Sequence, residues 1–276
     1  MQTRYESSPN EVKTMTTEQL RENFLIENCI EAGKINFVYS HYDRMIIGGA
    51  MPTTEGLTLG NYEQLKADYF LERREMGIIN VGGDGTITAD GKTYNVSRLD
   101  CVYLGKGTKS LTFSSNDAAN PAKFYILSAP AHKDYPNKFM PKEDASPMTI
   151  GSAETANHRT VYKYIHADGI KSCQLVMGLT TLHTGSVWNT MPSHVHDRRM
   201  EAYFYFDVPS DQAVVHFMGQ PQETRHIFMA NHQAVISPPW SIHSGCGTTN
   251  YGFIWGMAGE NFNYTDMDVV QINALR

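Results

Sequence analysis

The sequence predicts a mainly all-β chain: two antiparallel barrel or jelly-roll halves preceded by an N-terminal helix. Three observations carry this expectation. From Ile35 onward the chain is a series of short apolar, β-branched and aromatic runs separated by glycine and proline, the texture of an antiparallel sandwich or barrel. That texture starts again after a long connection rich in proline, lysine and alanine, Pro130 to Pro147. Finally, Tyr69-Phe70-Leu71-Glu72-Arg73-Arg74-Glu75 lies over His194-Val195-His196-Asp197-Arg198-Arg199-Met200, with a shared Arg-Arg pair and the same order of elements after it. The halves therefore read as distant copies. The expected units are 1–34, an arm and helix; 35–140, a first barrel; and 141–276, a second barrel.

The elements follow in order. Residues up to about Thr16 read as a loose arm. Thr16-Thr17-Glu18-Gln19 has the form of a capping box, in which the first threonine and the glutamine three residues on satisfy each other's free backbone donors. Leu20, Phe24 and Leu25 supply an apolar face and Gly33 closes the segment, so a helix is expected from Glu18 to Ala32. Strands are expected at Ile35–Tyr39, Met45–Ile47, Gly77–Val81, Thr86–Ala89, Lys92–Val96, Cys101–Leu104, Leu111–Phe113 and Lys123–Leu127. Asp90-Gly91 between two of them is a strong hairpin signal. In the second half the runs are Gln174–Leu179, Ser186–Trp188, Ala202–Phe206, Ala213–Phe217, His226–Met229, Gln233–Ile236 and Gly252–Trp255.

Composition bounds the function. The chain has 276 residues, 41% hydrophobic and 19% charged, enough to bury a sizeable core. A net charge of −6 with no basic run argues against nucleic acid. No run approaches a membrane span, and the polar N-terminus lacks the apolar segment of a secretory signal. Cys29, Cys101, Cys173 and Cys246 form no CxxC pair and read as free thiols in a reducing, cytoplasmic compartment. Gly82-Gly83-Asp84-Gly85 sits between strands, not before a helix, so it is a turn and not a phosphate loop.

The chemistry concentrates in Pro192-Ser193-His194-Val195-His196-Asp197-Arg198-Arg199-Met200-Glu201. Alternate side chains of a strand share a face, so His194 and His196 point the same way. A tight turn at Asp197 to Arg199 then brings Glu201 back beside them. A fourth ligand is sought in Ser237-Pro238-Pro239-Trp240-Ser241-Ile242-His243, where His243 opens a strand expected to run beside that of Glu201. Three histidines and a carboxylate suit a divalent transition metal. Lone histidines elsewhere, His216 among them, read as structural.

HxH, four residues, Glu, and some forty residues later Pro-x-x-x-x-His resembles the two-part signature of the cupin superfamily, with Trp240 in place of its usual glycine. The chain then looks like a bicupin with one live site. The resemblance is closer still to the 5-keto-4-deoxyuronate isomerase family, carried by Trp188 to Glu201, Met218 to His226, Tyr69 to Glu75, Phe253 to Met257 and Gly259-Glu260-Asn261. It implies a metal-dependent ketol isomerase of pectin-derived uronates, one zinc ion per chain and a homohexamer. The residues alone leave iron, manganese, nickel or copper open. Glu223, Glu260 and Tyr203 are the candidates for moving the proton. Arg198 and Arg225, then Arg199, are candidates for the substrate carboxylate, although ion-pair and cap roles are commoner for arginine. Trp188 and Trp255 are candidate pocket walls. Two other classes stay in view: a different metal-dependent cupin enzyme, such as a deoxyglucuronate isomerase or dioxygenase, and a non-catalytic sugar-binding cupin.

Overall fold

In the computed structural model, residues 1–260 and 264–276 are described; Asn261 of the Gly259-Glu260-Asn261 run lies outside the described residues. Short β-rich segments pair into two sandwiches, each of a seven-stranded and a four-stranded sheet. The first large sheet runs Gln2–Arg4, Ile35–Ser40, Ile46–Ala50, Phe124–Pro130, Arg74–Asn80, Cys101–Leu104, Lys138–Met140. The second runs Met148–Ile150, Arg159–Ile165, Val176–Leu182, Gly252–Gly259, Arg199–Phe206, Ala234–Ser237, Leu25–Ile26. The small sheets are Leu57–Thr58, Leu111–Ser115, Gly85–Ala89, Lys92–Val96 and, in matching order, Trp188–Asn189, Ser244–Gly247, Val214–Gln220, Glu223–Met229.

The strand order is thus the same in both halves. Arg74 and Arg199 each open the equivalent strand. Two residues on, Glu201 has Met76 as its counterpart. Tyr69 and Leu71 stand five and three residues before Arg74, as His194 and His196 stand before Arg199.

The large sheets pack face to face. Tyr125 stacks on Phe204 at 4.3 Å between ring centroids. Gly256 permits the close approach, since a Cβ there would meet Leu127 Cδ1 at 2.1 Å. Buried Glu75 ties the halves together: its carboxylate accepts from Tyr103 Oη at 2.7 Å and from the backbone N–H groups of Cys173, Gln174 and Leu175 at 2.7, 2.9 and 2.8 Å. The Asp90-Gly91 hairpin forms as expected, with positive φ at both residues, as a type I′ turn requires.

Several expectations are corrected. The helix covers Thr17–Phe24 and not Glu18 to Ala32; the Thr16–Gln19 capping box is present. Leu25 and Ile26 are buried and pair with Val235 and Ala234, so completing the sheet edge outweighs continuing the helix. The expected loose arm is fixed in place. Gln2–Arg4 pairs in parallel with Val38–Ser40, and Ser8 caps a short helix, Pro9–Val12. The connection Pro130 to Pro147 contains an edge strand, Lys138–Met140. Arg159–Ile165 is a strand that the sequence reading passed over. The strand after His243, Ser244–Gly247, lies in the small sheet against Val214–Phe217, not beside Glu201. Glu201 pairs instead with Ser237 and Met257. The Pro238–Ile242 turn therefore carries the chain from one sheet to the other.

Candidate metal centre

His194, His196, Glu201 and His243 converge, with one ligand atom from each lying within 4.8 Å of all the others. They arrive from three places. Glu201 sits on the inner face of Arg199–Phe206. His194 belongs to a two-residue strand, His194–Val195, that pairs with Asp268–Val269, so the HxH pair is not a hairpin arm of the Glu201 strand as expected. His243 ends the turn that crosses between sheets. Sheet-to-sheet crossing is what brings a residue forty positions away onto the same point.

The donor set fits a cation. His196 Nδ1 lies 2.9 Å from the Arg199 carbonyl and His243 Nδ1 lies 3.3 Å from the Ser241 carbonyl. A carbonyl only accepts, so each Nδ1 carries the proton and each Nε2 presents a lone pair. Glu201 Oε2 then faces His196 Nε2 at 3.1 Å and His243 Nε2 at 3.0 Å, and His243 Nε2 faces His194 Nε2 at 3.1 Å. Acceptors crowded this closely and buried call for a positive charge between them. Burial, then the neighbouring His243, pushes the His194 imidazole down to about 3, keeping it neutral as a ligand must be.

A supporting layer fixes this geometry. Buried Arg199, whose carbonyl orients His196, is gripped by Asp266 at 3.0 and 2.9 Å. The Met200 N–H donates to Asp43 of the first half at 2.8 Å. The chain approaches His194 through a cis Met191–Pro192 bond.

The remaining expected residues separate. Tyr203 is inside the sandwich, its ring 5.5 Å from that of His243 and its hydroxyl 2.9 Å from Thr190 Oγ1. Burial raises its pKa well above the ordinary value, so it holds its proton. Trp255 is also inside, donating to Thr180 Oγ1 at 3.2 Å. Trp188 is not: it stacks on Phe217 at 5.9 Å, and its register with Cys246 puts it on the outer face. Glu223 and Glu260 are exposed. Arg198 is half exposed and lies 3.6 Å from Asp266. Arg225 donates to the carbonyls of Lys13 and Met15 at 2.9 and 2.5 Å, which anchors the N-terminal segment. The sequence reading missed a second polar group inside the sandwich. His216 Nδ1 pairs with Tyr205 Oη at 2.8 Å, and Asn189 Nδ2 donates to Tyr251 Oη at 2.8 Å. The alternation Val214, His216, Met218, all buried, was the available signal.

The fold and site define a double β-sandwich of cupin type carrying, among the described residues, one cluster of three histidines and a glutamate that could hold a metal ion. Comparison with known proteins agrees. The model of the KduI/IolB family matches residues 24–272, and the chain belongs to that family. It is 56% identical, over the full length of both chains, to a 4-deoxy-L-threo-5-hexosulose-uronate ketol-isomerase of Shouchella clausii. It is 58% identical to one of Formosa agariphila, covering 100% of this chain and 98% of that one. Among solved structures, an IolB-like protein from Salmonella typhimurium superposes with a TM-score of 0.74 at 16% identity, covering 90% of this chain and 97% of the other. Oxalate decarboxylase of Bacillus subtilis superposes with a TM-score of 0.56 at 10% identity, covering 82% and 71%. These structural likenesses speak for the fold.

Proposed function

We propose that the chain is a metal-dependent ketol isomerase that converts 5-dehydro-4-deoxy-D-glucuronate to 3-deoxy-D-glycero-2,5-hexodiulosonate. The observation that carries this reading is the convergence of His194, His196, Glu201 and His243 in a chain of which more than half the residues match the named isomerases end to end. These four residues would hold the ion, with the native metal read as zinc. A divalent ion in this position supplies Lewis acidity where negative charge develops on the substrate oxygen.

The reaction moves a proton from the hydroxyl-bearing carbon of the substrate to its neighbouring aldehyde carbon. Of the candidates for handling that proton, Tyr203 is the one placed inside the sandwich against His243. Being held protonated, it suits donation to the developing oxyanion. Trp255 walls the interior and, with Tyr205 and Phe253, keeps water from the reacting carbons. Glu223 and Glu260, both exposed, and Arg198, Arg225 and Trp188 serve the scaffold in this reading.

The wider setting is read in the same way. The two duplicated units are 35–140 and 141–276, with 1–34 lending an edge strand to each. The chain acts in breakdown of pectin-derived uronates as a homohexamer, which the likeness to the family supports. A cytoplasmic site suits four free cysteines, three of them buried. No helix of the described residues is long and apolar enough to cross a membrane. Incubating the purified chain with the deoxy-ketouronate in deuterated water tests the reading. Ketol product is expected, with solvent deuterium at the new CH2OH carbon if a proton is exchanged. Absence of product with metal present would sink it.

A further inference from the structure

We infer that Arg159 is the residue that binds the substrate carboxylate, from the inner face of the second large sheet at a distance from the metal cluster; this rests on the isomerase reading above. Cross-strand partners point to the same face of a sheet. Tyr162, Leu179, Ile254 and Phe204 form one row across the large sheet, and Phe204 stacks on Tyr125 of the first half. That row therefore faces away from the sandwich interior. By alternation Arg159, Val161 and Lys163 face inward, on the wall that carries Thr180, Trp255, Tyr203 and Glu201.

Arg159 is only partly exposed and opposes Leu182. Burial lowers its pKa. Along the sheet the row of Tyr203, Trp255 and Gly178 lies between the row of Glu201 and the row of Leu182 that Arg159 joins, and the Tyr203 ring lies against that of His243, so Arg159 stands beyond Tyr203 from the ligands. One of its donors goes to the Asn157 carbonyl at 2.8 Å. That leaves most of the five N–H groups of the fork for an anion, and a guanidinium binds a carboxylate with two parallel bonds. Lys163 shares the face but carries a compact charge without the planar fork of a guanidinium.

A second, independent observation points to a polar ligand in the interior. Asn189 and His216 are fully buried, and both carry a polar atom without a partner, Asn189 Oδ1 and His216 Nε2. They are neighbours in one row of the small sheet, both opposite Gly245, where a side chain would collide with Asn189 and Tyr205. Buried groups of this kind are normally satisfied. Hydroxyls along the middle of a six-carbon chain would satisfy them. The uronate would then have its aldehyde end at the ligand cluster and its carboxylate on Arg159.

The test uses the metal-loaded enzyme and the variants Arg159→Met and Arg159→Lys. Arg159→Met should raise KM for the deoxy-ketouronate about 10- to 100-fold, the worth of a charged hydrogen bond. It should leave kcat within about threefold and metal content unchanged. Arg159→Lys, which keeps charge without the fork, should fall between. Unchanged KM in both variants, or a loss confined to kcat, would overturn the assignment. If the wild-type chain does not turn over the uronate, the isomerase reading fails separately. The assignment is then judged by calorimetric binding of glucuronate against glucose. A preference for glucuronate that Arg159→Met abolishes upholds it, and equal binding of the two sugars refutes it.

Discussion

Glu75→Gln should weaken the joint between the halves without touching the cluster of His194, His196, Glu201 and His243. In the native carboxylate, Oε1 accepts from Gln174 and Leu175, while Oε2 accepts from Cys173 and Tyr103. An amide placed with its oxygen at Oε1 keeps the first pair as neutral bonds. Its NH2 then faces the Tyr103 hydroxyl, which can rotate to accept, and the Cys173 N–H, which cannot. One buried donor is orphaned, at about 1–3 kcal/mol, and charge assistance is lost at the remaining bonds, for a total of roughly 3 kcal/mol. At about 2–4 °C per kcal/mol for a chain of this size, the melting temperature should fall by roughly 6–12 °C. Thermal unfolding followed by circular dichroism reads this, with metal content measured in parallel. A melting temperature within about 2 °C of wild type would refute the claim that Glu75 holds the halves together. A loss of bound metal from a folded variant would refute its separation from the site.

Three further expectations concern the site. His196→Ala should lower metal affinity by about 10²–10³-fold, since roughly 10–16 kcal/mol for a four-ligand zinc site is about 3–4 kcal/mol per ligand; competition with a chromogenic chelator measures it, and full occupancy at low metal would contradict the ligand role. His216 is pushed down to about 3 by burial, with His243 adding to the effect. Its contribution is therefore complete above the unfolded value of about 6.5 and is lost as pH falls from there toward 3, because the unfolded chain takes up a proton that the folded chain refuses. His216→Asn should therefore flatten the acid limb of stability by about 1 kcal/mol per pH unit, read from urea unfolding between pH 6.5 and 5; parallel slopes would refute it. Saturating metal at 100 times its dissociation constant should stabilise the chain by about 2.7 kcal/mol, and His243→Ala should remove that gain.

The convergence of His194, His196, Glu201 and His243 was legible because chemistry favours it locally. HxH, a glutamate five residues on and a histidine after a double proline are spacings that few other roles explain. The repeated strand order was legible from Arg74 and Arg199, which open corresponding strands. What could not be read was partner choice between distant segments. Leu25 and Ile26 continue a helical pattern in sequence, and only the exposed edge of Ala234–Ser237 turns them into a strand. The route of His243 depends on which sheet receives Ser244–Gly247, which the turn residues do not specify. The arginines show the same limit. Arg198 and Arg225 stand next to the motif in sequence but pair with Asp266 and with N-terminal carbonyls. Arg159 faces the site from a strand whose mixed polarity, Arg-Thr-Val-Tyr-Lys-Tyr-Ile, hid it.

The central claim is that this chain isomerises the deoxy-ketouronate through a metal held by His194, His196, Glu201 and His243. Steady-state turnover should be measured before and after removal of metal by a tight chelator, and again after zinc is returned. Activity should fall to background on removal, with the fold intact, and return in proportion to zinc bound up to one ion per chain. Undiminished turnover in protein shown to be free of metal would contradict it.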